Sequence, residues 1–233
     1  MIPSTVRWVP AFLVTVVTGC GGAGGAGERQ ADARSEPGGG AGATAGPDTR
    51  PAILFIGTSL TAGLGVDPHA AFPAVIQRRL DSLRMTWRVI NAGVSGETSA
   101  GALRRLESVL TDSVRVVVLE TGANDGLRGI DPNSTRANLE QIVRRIRARD
   151  PTIAIVLAGM EAPPNLGPRF TRQFRDLFPA VATRERLALV PFLLAGVAGD
   201  DGLNQDDGIH PTARGHELIA DTVWRVLEPI LRR

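Results

Sequence analysis

A serine, a histidine and an aspartate that could act together stand in the chain as Ser59, His210 and Asp207. A serine hydroxyl is a weak nucleophile until a base within hydrogen-bond reach takes its proton, and the base works best when a third group orients it. Of the histidines His69, His210 and His216, only His210 has a carboxylate at a spacing that makes a local pair, Asp207, three residues before it. Across a turn, that spacing brings carboxylate to imidazole without help from distant chain. The pair fixes the tautomer and offsets the roughly 0.3–1 kcal/mol by which a nearby helix N-terminus opposes an imidazolium. Acyl transfer also needs donors aimed at the developing oxyanion, and the backbone N–H of Ser59, the N–H of Gly96 and the side-chain amide of Asn124 are available. Each of these features has a plainer alternative. Ser59 or Thr61 can cap a tight turn, Asn124 and Asp125 can form an Asx turn, and Asp206 or Asp207 can cap the last helix.

The elements that must position these groups are legible as alternating apolar runs and helical periodicities. Ala52 to Ile56 reads as a buried strand that stops in the small residues Gly57-Thr58-Ser59. A helix follows over His69 to Arg84, with Phe72, Val75, Ile76, Leu80 and Leu83 on one face. Arg88 to Asn91 is a second strand, followed after Gly96 by a helix carrying Ala102, Leu103, Leu106, Val109 and Leu110. Val114 to Leu119 is a third strand running into Glu120-Thr121-Gly122-Ala123-Asn124-Asp125. The next helix carries Leu139, Ile142, Val143 and Ile146, with Asn133 or Ser134 as its cap. Thr152 to Leu157 is a fourth strand, and the Pro- and Gly-rich loop Met160 to Pro168 is long enough to line a pocket. A helix over Phe170 to Arg184 and a short strand over Leu187 to Val190 precede the last helix, in whose first turn Pro211 fits. Five strands alternating with helices define an α/β domain with a parallel sheet, whose ligands gather past the carboxyl ends of the strands. His69 reads as an exposed turn residue and His216 as a structural residue flanking the apolar face of the last helix.

Composition removes several alternatives. The chain has 233 residues, 43% of them hydrophobic and 21% charged, enough for one globular domain plus extra chain. Every basic residue is Arg, so a net charge of only +2 coexists with a pI of about 9.8. Without Lys there is no Walker lysine, no pyridoxal Schiff base and no Ser-Lys dyad, and without Tyr no phenolic acid. Aromatic residues make up 4% and interleave no arginine run, which argues against a nucleic-acid partner.

The single cysteine, Cys20, lies near the start, which excludes an intramolecular disulfide and a cysteine zinc site. Before it come the basic Met1 to Arg7 and the short apolar Trp8 to Val17, the pattern of a secretory signal. Val17-Thr18-Gly19-Cys20 resembles the lipobox of bacterial lipoproteins. The expected organisation is a signal peptide over 1–20 ending at a lipidated Cys20, a flexible Gly/Ala-rich tether over 21–50 and a folded domain over 51–233. An exported, membrane-anchored lipoprotein facing the periplasm or the cell exterior follows from that reading.

Gly57-Thr58-Ser59-Leu60, Gly96, Gly122-Ala123-Asn124-Asp125 and Asp207-Gly208-Ile209-His210 resemble the four blocks of the SGNH hydrolase (GDSL esterase/lipase) superfamily. The longer stretches Asn124 to Gly129 and Asp206 to Pro211 are similar to its bacterial thioesterase/lysophospholipase and arylesterase branch. The resemblance implies a flavodoxin-like three-layer α/β/α sandwich with strand order 2-1-3-4-5. It also implies Ser59 as nucleophile, His210 as base, Asp207 as its orienter, and Ser59, Gly96 and Asn124 as the oxyanion hole. Neither a metal nor an organic cofactor is implied. The expected activity is hydrolysis of carboxylic esters or thioesters, such as aryl esters, acyl thioesters or lysophospholipids, through an acyl-enzyme. A carbohydrate O-acetyl esterase of the same superfamily and a non-catalytic tethered binding module are the alternatives. One departure stands out: Thr58 occupies the place of the block's usual acidic residue, which removes a carboxylate that normally helps fix the nucleophile loop.

Overall fold

The six residues Ala52–Gly57 are all buried and form β1, the strand on which the sheet is centred, in a computed structural model that describes residues 48–233. The signal segment, Cys20 and nearly all of the 21–50 tether lie outside the described residues. β1 is flanked by β2 (Arg88–Gly93) on one side and β3 (Val114–Leu119) on the other, and β4 (Ala154–Ala158) and β5 (Ala188–Val190) extend the sheet beyond β3. All pairings are parallel, and the order is 2-1-3-4-5 as the resemblance implied. The chain leaves β1 toward β2 and returns across β1 to β3. The point where the strand order reverses therefore lies between the carboxyl ends of β1 and β3, where a crevice opens.

Seven α-helices are described: α1 (Ser59–Ala62), α2 (Phe72–Ser82), α3 (Ser99–Val109), α4 (Ala123–Leu127), α5 (Pro132–Arg149), α6 (Pro168–Arg184) and α7 (Ala213–Leu231). α2 packs on α7, while α3, α5 and α6 pack in series, giving a helical layer on each face of the sheet. The central strands are covered on both faces, which is why they read as continuous apolar runs rather than alternating ones. Phe55 of β1 meets Phe72 of α2 edge to face, with ring centroids 5.6 Å apart.

Three helix starts differ from the sequence expectation. α5 is capped by Asp131, whose side chain accepts from the Asn133 N–H, and not by Asn133 or Ser134. α7 begins at Ala213 with Thr212 as its cap, so Pro211 lies outside the helix. Pro211 is instead bridged to Asn204, and neither Asp206 nor Asp207 is a helix cap. The helix expected from His69 is broken into a 3-10 turn, Pro68–Ala70, and α2. Ala71, the cap of α2, has no side chain that can accept a hydrogen bond. The first amide of the helix, Phe72 N–H, donates to Nδ1 of His216, 3.3 Å away on α7. His216 is thus fully buried rather than on a flank, and it is structural as expected.

Candidate active site

β1 ends at Gly57, and the next residue, Thr58, caps the single turn of α1 by accepting from the Leu60 N–H. Ser59 is the first residue of that turn, so its own N–H has no intrahelical acceptor. Opposite it, the segment after β5 folds back through Gln205 to Pro211. Gly208 takes a left-handed conformation (φ 67°), and this turn lets the Asp207 carboxylate receive the N–H groups of Ile209 and His210, each at 2.9 Å. The other carboxylate oxygen lies 2.6 Å from Nδ1 of His210, and Nε2 of His210 lies 2.9 Å from Ser59 Oγ. A carboxylate can only accept, so the imidazole proton resides on Nδ1, Nε2 is an acceptor, and the Ser59 hydroxyl donates to it.

The hydrogen bonds from His210 and Ile209 hold the Asp207 carboxyl far below the usual carboxylate range, although its side chain is 47% exposed. Asp207 is therefore anionic at neutral pH. The loop that carries this pair is fastened to the serine side by Gln205. Its side-chain amide donates to the Leu64 carbonyl at 2.8 Å and to the Pro211 carbonyl at 2.9 Å, and its backbone N–H donates to the His210 carbonyl at 2.7 Å.

Asn124 lies in the first turn of α4, past the end of β3. One of its two amide hydrogens goes to the Glu97 carbonyl at 3.0 Å, which leaves the other free. Among the described residues, no acceptor pairs with the backbone N–H of Ser59 or of Gly96. Ser59, Gly96, Asn124 and His210 all line one cavity of about 630 Å³. Its wall is otherwise mostly apolar, including Leu64, Leu127, Met160, Pro163, Phe192 and Ile209. The structure therefore gathers all five positions singled out in the sequence: Ser59, Asp207, His210, Gly96 and Asn124. The loop from Met160 to Pro164 supplies part of the wall, as its length and composition suggested.

Three supporting residues had no role in the sequence reading. Asp125, buried beside Asn124, accepts from the Ser99 N–H (2.8 Å), the Ser99 hydroxyl (2.5 Å) and the Thr135 hydroxyl (3.1 Å), which ties α4 to α3 and α5. Arg105 of α3 grips the Glu97 carboxylate and the Ala92 carbonyl, and it steadies the loop that contains Gly96. Glu120 is the third. Thr58 takes the place of the block's usual acidic residue, and its N–H and hydroxyl hydrogen-bond to a carboxylate that reaches the nucleophile loop from the end of β3. The Thr58 N–H donates to Glu120 at 2.8 Å, the Thr58 hydroxyl at 3.0 Å and the Thr61 hydroxyl at 2.8 Å. The hint in the sequence is one charge directly after the apolar run Val116 to Leu119.

Comparison with known proteins places this geometry among relatives. Residues 55–218 match the model of the GDSL-like Lipase/Acylhydrolase family. The esterase TesA of Pseudomonas aeruginosa is 41% identical over 180 residues, spanning 77% of this chain and 89% of that protein. The thioesterase 1/protease 1/lysophospholipase L1 of Escherichia coli K12 is 34% identical, spanning 77% of this chain and 84% of that protein. Among solved structures, that of TesA superposes with a TM-score of 0.73 over 76% of this chain and 98% of its own. The psychrotrophic esterase EstA from Pseudoalteromonas sp., in a form inhibited by monoethylphosphonate, does so with a TM-score of 0.73 at 32% identity, over 78% of this chain and 100% of its own.

Proposed function

The chain belongs to the GDSL-like lipase/acylhydrolase family, and from that premise we propose that it cleaves esters through an acyl-enzyme formed on Ser59. It is a serine esterase, in keeping with relatives named as esterase, thioesterase and arylesterase. The observation that carries the residue assignment is the continuous line from Asp207 through His210 to Ser59, which opens on a largely apolar cavity.

In the proposed reaction, Ser59 Oγ attacks the ester carbonyl carbon while its proton passes to Nε2 of His210. The carbonyl oxygen takes the negative charge and faces the N–H groups of Ser59 and Gly96 and the free amide hydrogen of Asn124. Each such donor is typically worth about 2.7–4 kcal/mol in the transition state. Collapse expels the alcohol or thiol, which leaves with the proton held on Nε2. Water then gives a proton to Nε2 of His210 and attacks the acyl carbon, and as the acyl–Oγ bond breaks Nε2 returns the proton to Ser59 Oγ and the carboxylic acid leaves. Asp207 stays anionic throughout, holds the Nδ1 proton in place and stabilises the transient imidazolium.

The preferred substrates are esters or thioesters with an apolar acyl or aryl group, because the wall that meets the acyl carbon is apolar. A carbohydrate O-acetyl esterase would need surfaces on which sugars stack, and Phe192 is the one aromatic residue in that wall. Hydrolysis of p-nitrophenyl esters from acetyl to dodecanoyl, alongside acetylated xylan, separates the two. Higher kcat/KM for medium chains supports the apolar-acyl reading, and release of acetate from xylan with poor cleavage of octanoyl esters contradicts it. Export and anchoring through a lipidated Cys20 are supported by the basic, apolar, lipobox order of residues 1–20. Incorporation of labelled palmitate that is lost in Cys20→Ser is the matching result, and equal incorporation in that variant is the opposite one.

A further inference from the structure

The mechanism uses Ser59, His210, Asp207 and three oxyanion donors, yet it leaves one fully buried carboxylate without a task. Glu120 is wholly inaccessible, and all of its side-chain hydrogen bonds come from two residues of the nucleophile turn, its cap Thr58 and Thr61 within it. A buried carboxylate is costly to keep, and its cost is offset only where donors are arranged around it. Gly57 shows how closely it is packed: a Cβ there would sit 2.5 Å from Glu120 Oε2 and 1.9 Å from Thr61 Oγ1. The backbone joins the same contact, since the Glu120 N–H donates to the Ile56 carbonyl at 2.8 Å, one residue before Gly57.

We infer that Glu120 is a positioning residue for the reaction: its carboxylate clamps the Thr58–Thr61 turn from the end of β3 and so fixes Ser59 relative to His210. This rests on Ser59 being the nucleophile. The physical argument concerns what one four-residue helical turn can hold by itself. α1 spans Ser59–Ala62 and has Thr58 as a cap, with the Leu60 N–H at 3.4 Å, a weak hydrogen bond. The turn closes on itself through the Ala62 N–H to the Thr58 carbonyl and the Gly63 and Leu64 N–H groups to the Ser59 carbonyl, each at 3.0 Å, and hydrogen bonds from outside it include those to Glu120, the bond from Asn91 Nδ2 to the Thr61 carbonyl at 2.8 Å and the Ser59–His210 bond. Thr58 also makes the arrangement self-consistent, because a neutral hydroxyl can donate to the carboxylate that it faces. Asn124 begins only four residues after Glu120, so the strand end that holds the nucleophile turn also sets an oxyanion donor.

The test compares wild type, Glu120→Gln, Thr61→Val, Thr58→Val and Thr58→Ser for kcat and KM on a p-nitrophenyl ester, and for the rate of Ser59 labelling by an ethyl phosphonate ester. A misplaced nucleophile lowers attack and leaves ground-state binding intact. Glu120→Gln, which cannot accept all three donors, should therefore lose about 10–100-fold in kcat and in labelling rate, with KM within about twofold of wild type. Thr58→Val should fall similarly, and Thr58→Ser, which keeps the hydroxyl, should recover most of the loss. If Glu120→Gln does not fold, the contrast between Thr58→Val and Thr58→Ser decides. Equal kcat in those two variants, or a folded Glu120→Gln with wild-type kcat and labelling rate, overturns the inference. Ser59→Ala in the same series separates the premise from the inference: full activity in Ser59→Ala removes the nucleophile, whereas an inactive Ser59→Ala beside an unaffected Glu120→Gln removes only the clamp.

Discussion

Nε2 of His210 lies 2.9 Å from Oγ of Ser59, although the two residues are 151 positions apart. β1 delivers the serine and the loop before α7 delivers the histidine, so their meeting is a property of the sheet order and not of either segment alone. The Ser59 side is held by Glu120 from β3, and the His210 side by Asp207 and by Gln205.

Asp207 should matter more than its exposure suggests. In Asp207→Asn, an amide can present its N–H to Nδ1, which favours the tautomer with the proton on Nε2 and blocks removal of the Ser59 proton. The expected loss in kcat is on the order of 10⁴-fold with little change in KM, measured by steady-state hydrolysis of an aryl ester. A loss of less than about tenfold would mean that the carboxylate does not set the tautomer.

Asn124→Ala removes one of the proposed oxyanion donors and also the tie to the Glu97 carbonyl. The cost should fall on kcat, by about 10²–10³-fold, because the donor acts on charge that develops only in the transition state. A change confined to KM would place Asn124 in substrate binding instead.

Much of this is legible in the sequence alone. Buried parallel strands such as Val116 to Leu119 announce themselves as unbroken apolar runs, and Asp207-Gly208-Ile209-His210 is local enough for its pairing to be read from spacing. What could not be read were contacts between elements remote in the chain. The cap of α2 comes from His216, 144 positions away from Phe72, and the start of α7 is displaced by the bridge from Asn204 to Pro211. Glu120 was visible as a charge after a strand, but a buried carboxylate and a solvated loop carboxylate look alike until the donors facing them are known. The partner of the Thr58 hydroxyl, 62 positions away, is hidden in the sequence for the same reason.

Two buried groups give the fold opposing pH dependences. Burial pushes the Glu120 carboxyl up from 4.5 to about 7, against the pull of the Thr58 and Thr61 hydrogen bonds. Between those values the folded state holds a proton that the unfolded chain has released, so the contribution of Glu120 to stability falls as pH rises. Burial pushes His216 down from 6.5 to about 4. There the unfolded chain takes up the proton first, so the contribution of His216 is lost as pH falls through that window. The slopes cancel in part over the shared interval. Glu120→Gln removes one of them, so its thermal midpoint should climb with pH from 4.5 to 6.5 more steeply than that of wild type. A difference between the two midpoints that is constant across this interval would contradict the assignment.

The most direct test of the central claim is the site at which an ethyl phosphonate ester with a good leaving group modifies the protein. Treated protein should gain one ethylphosphonyl group, and peptide mass spectrometry should place it on Ser59. Ester hydrolysis should be lost in proportion to labelling, and Ser59→Ala should take up none. Labelling at another residue, or complete labelling of Ser59 with hydrolysis undiminished, would contradict an acyl-enzyme on Ser59.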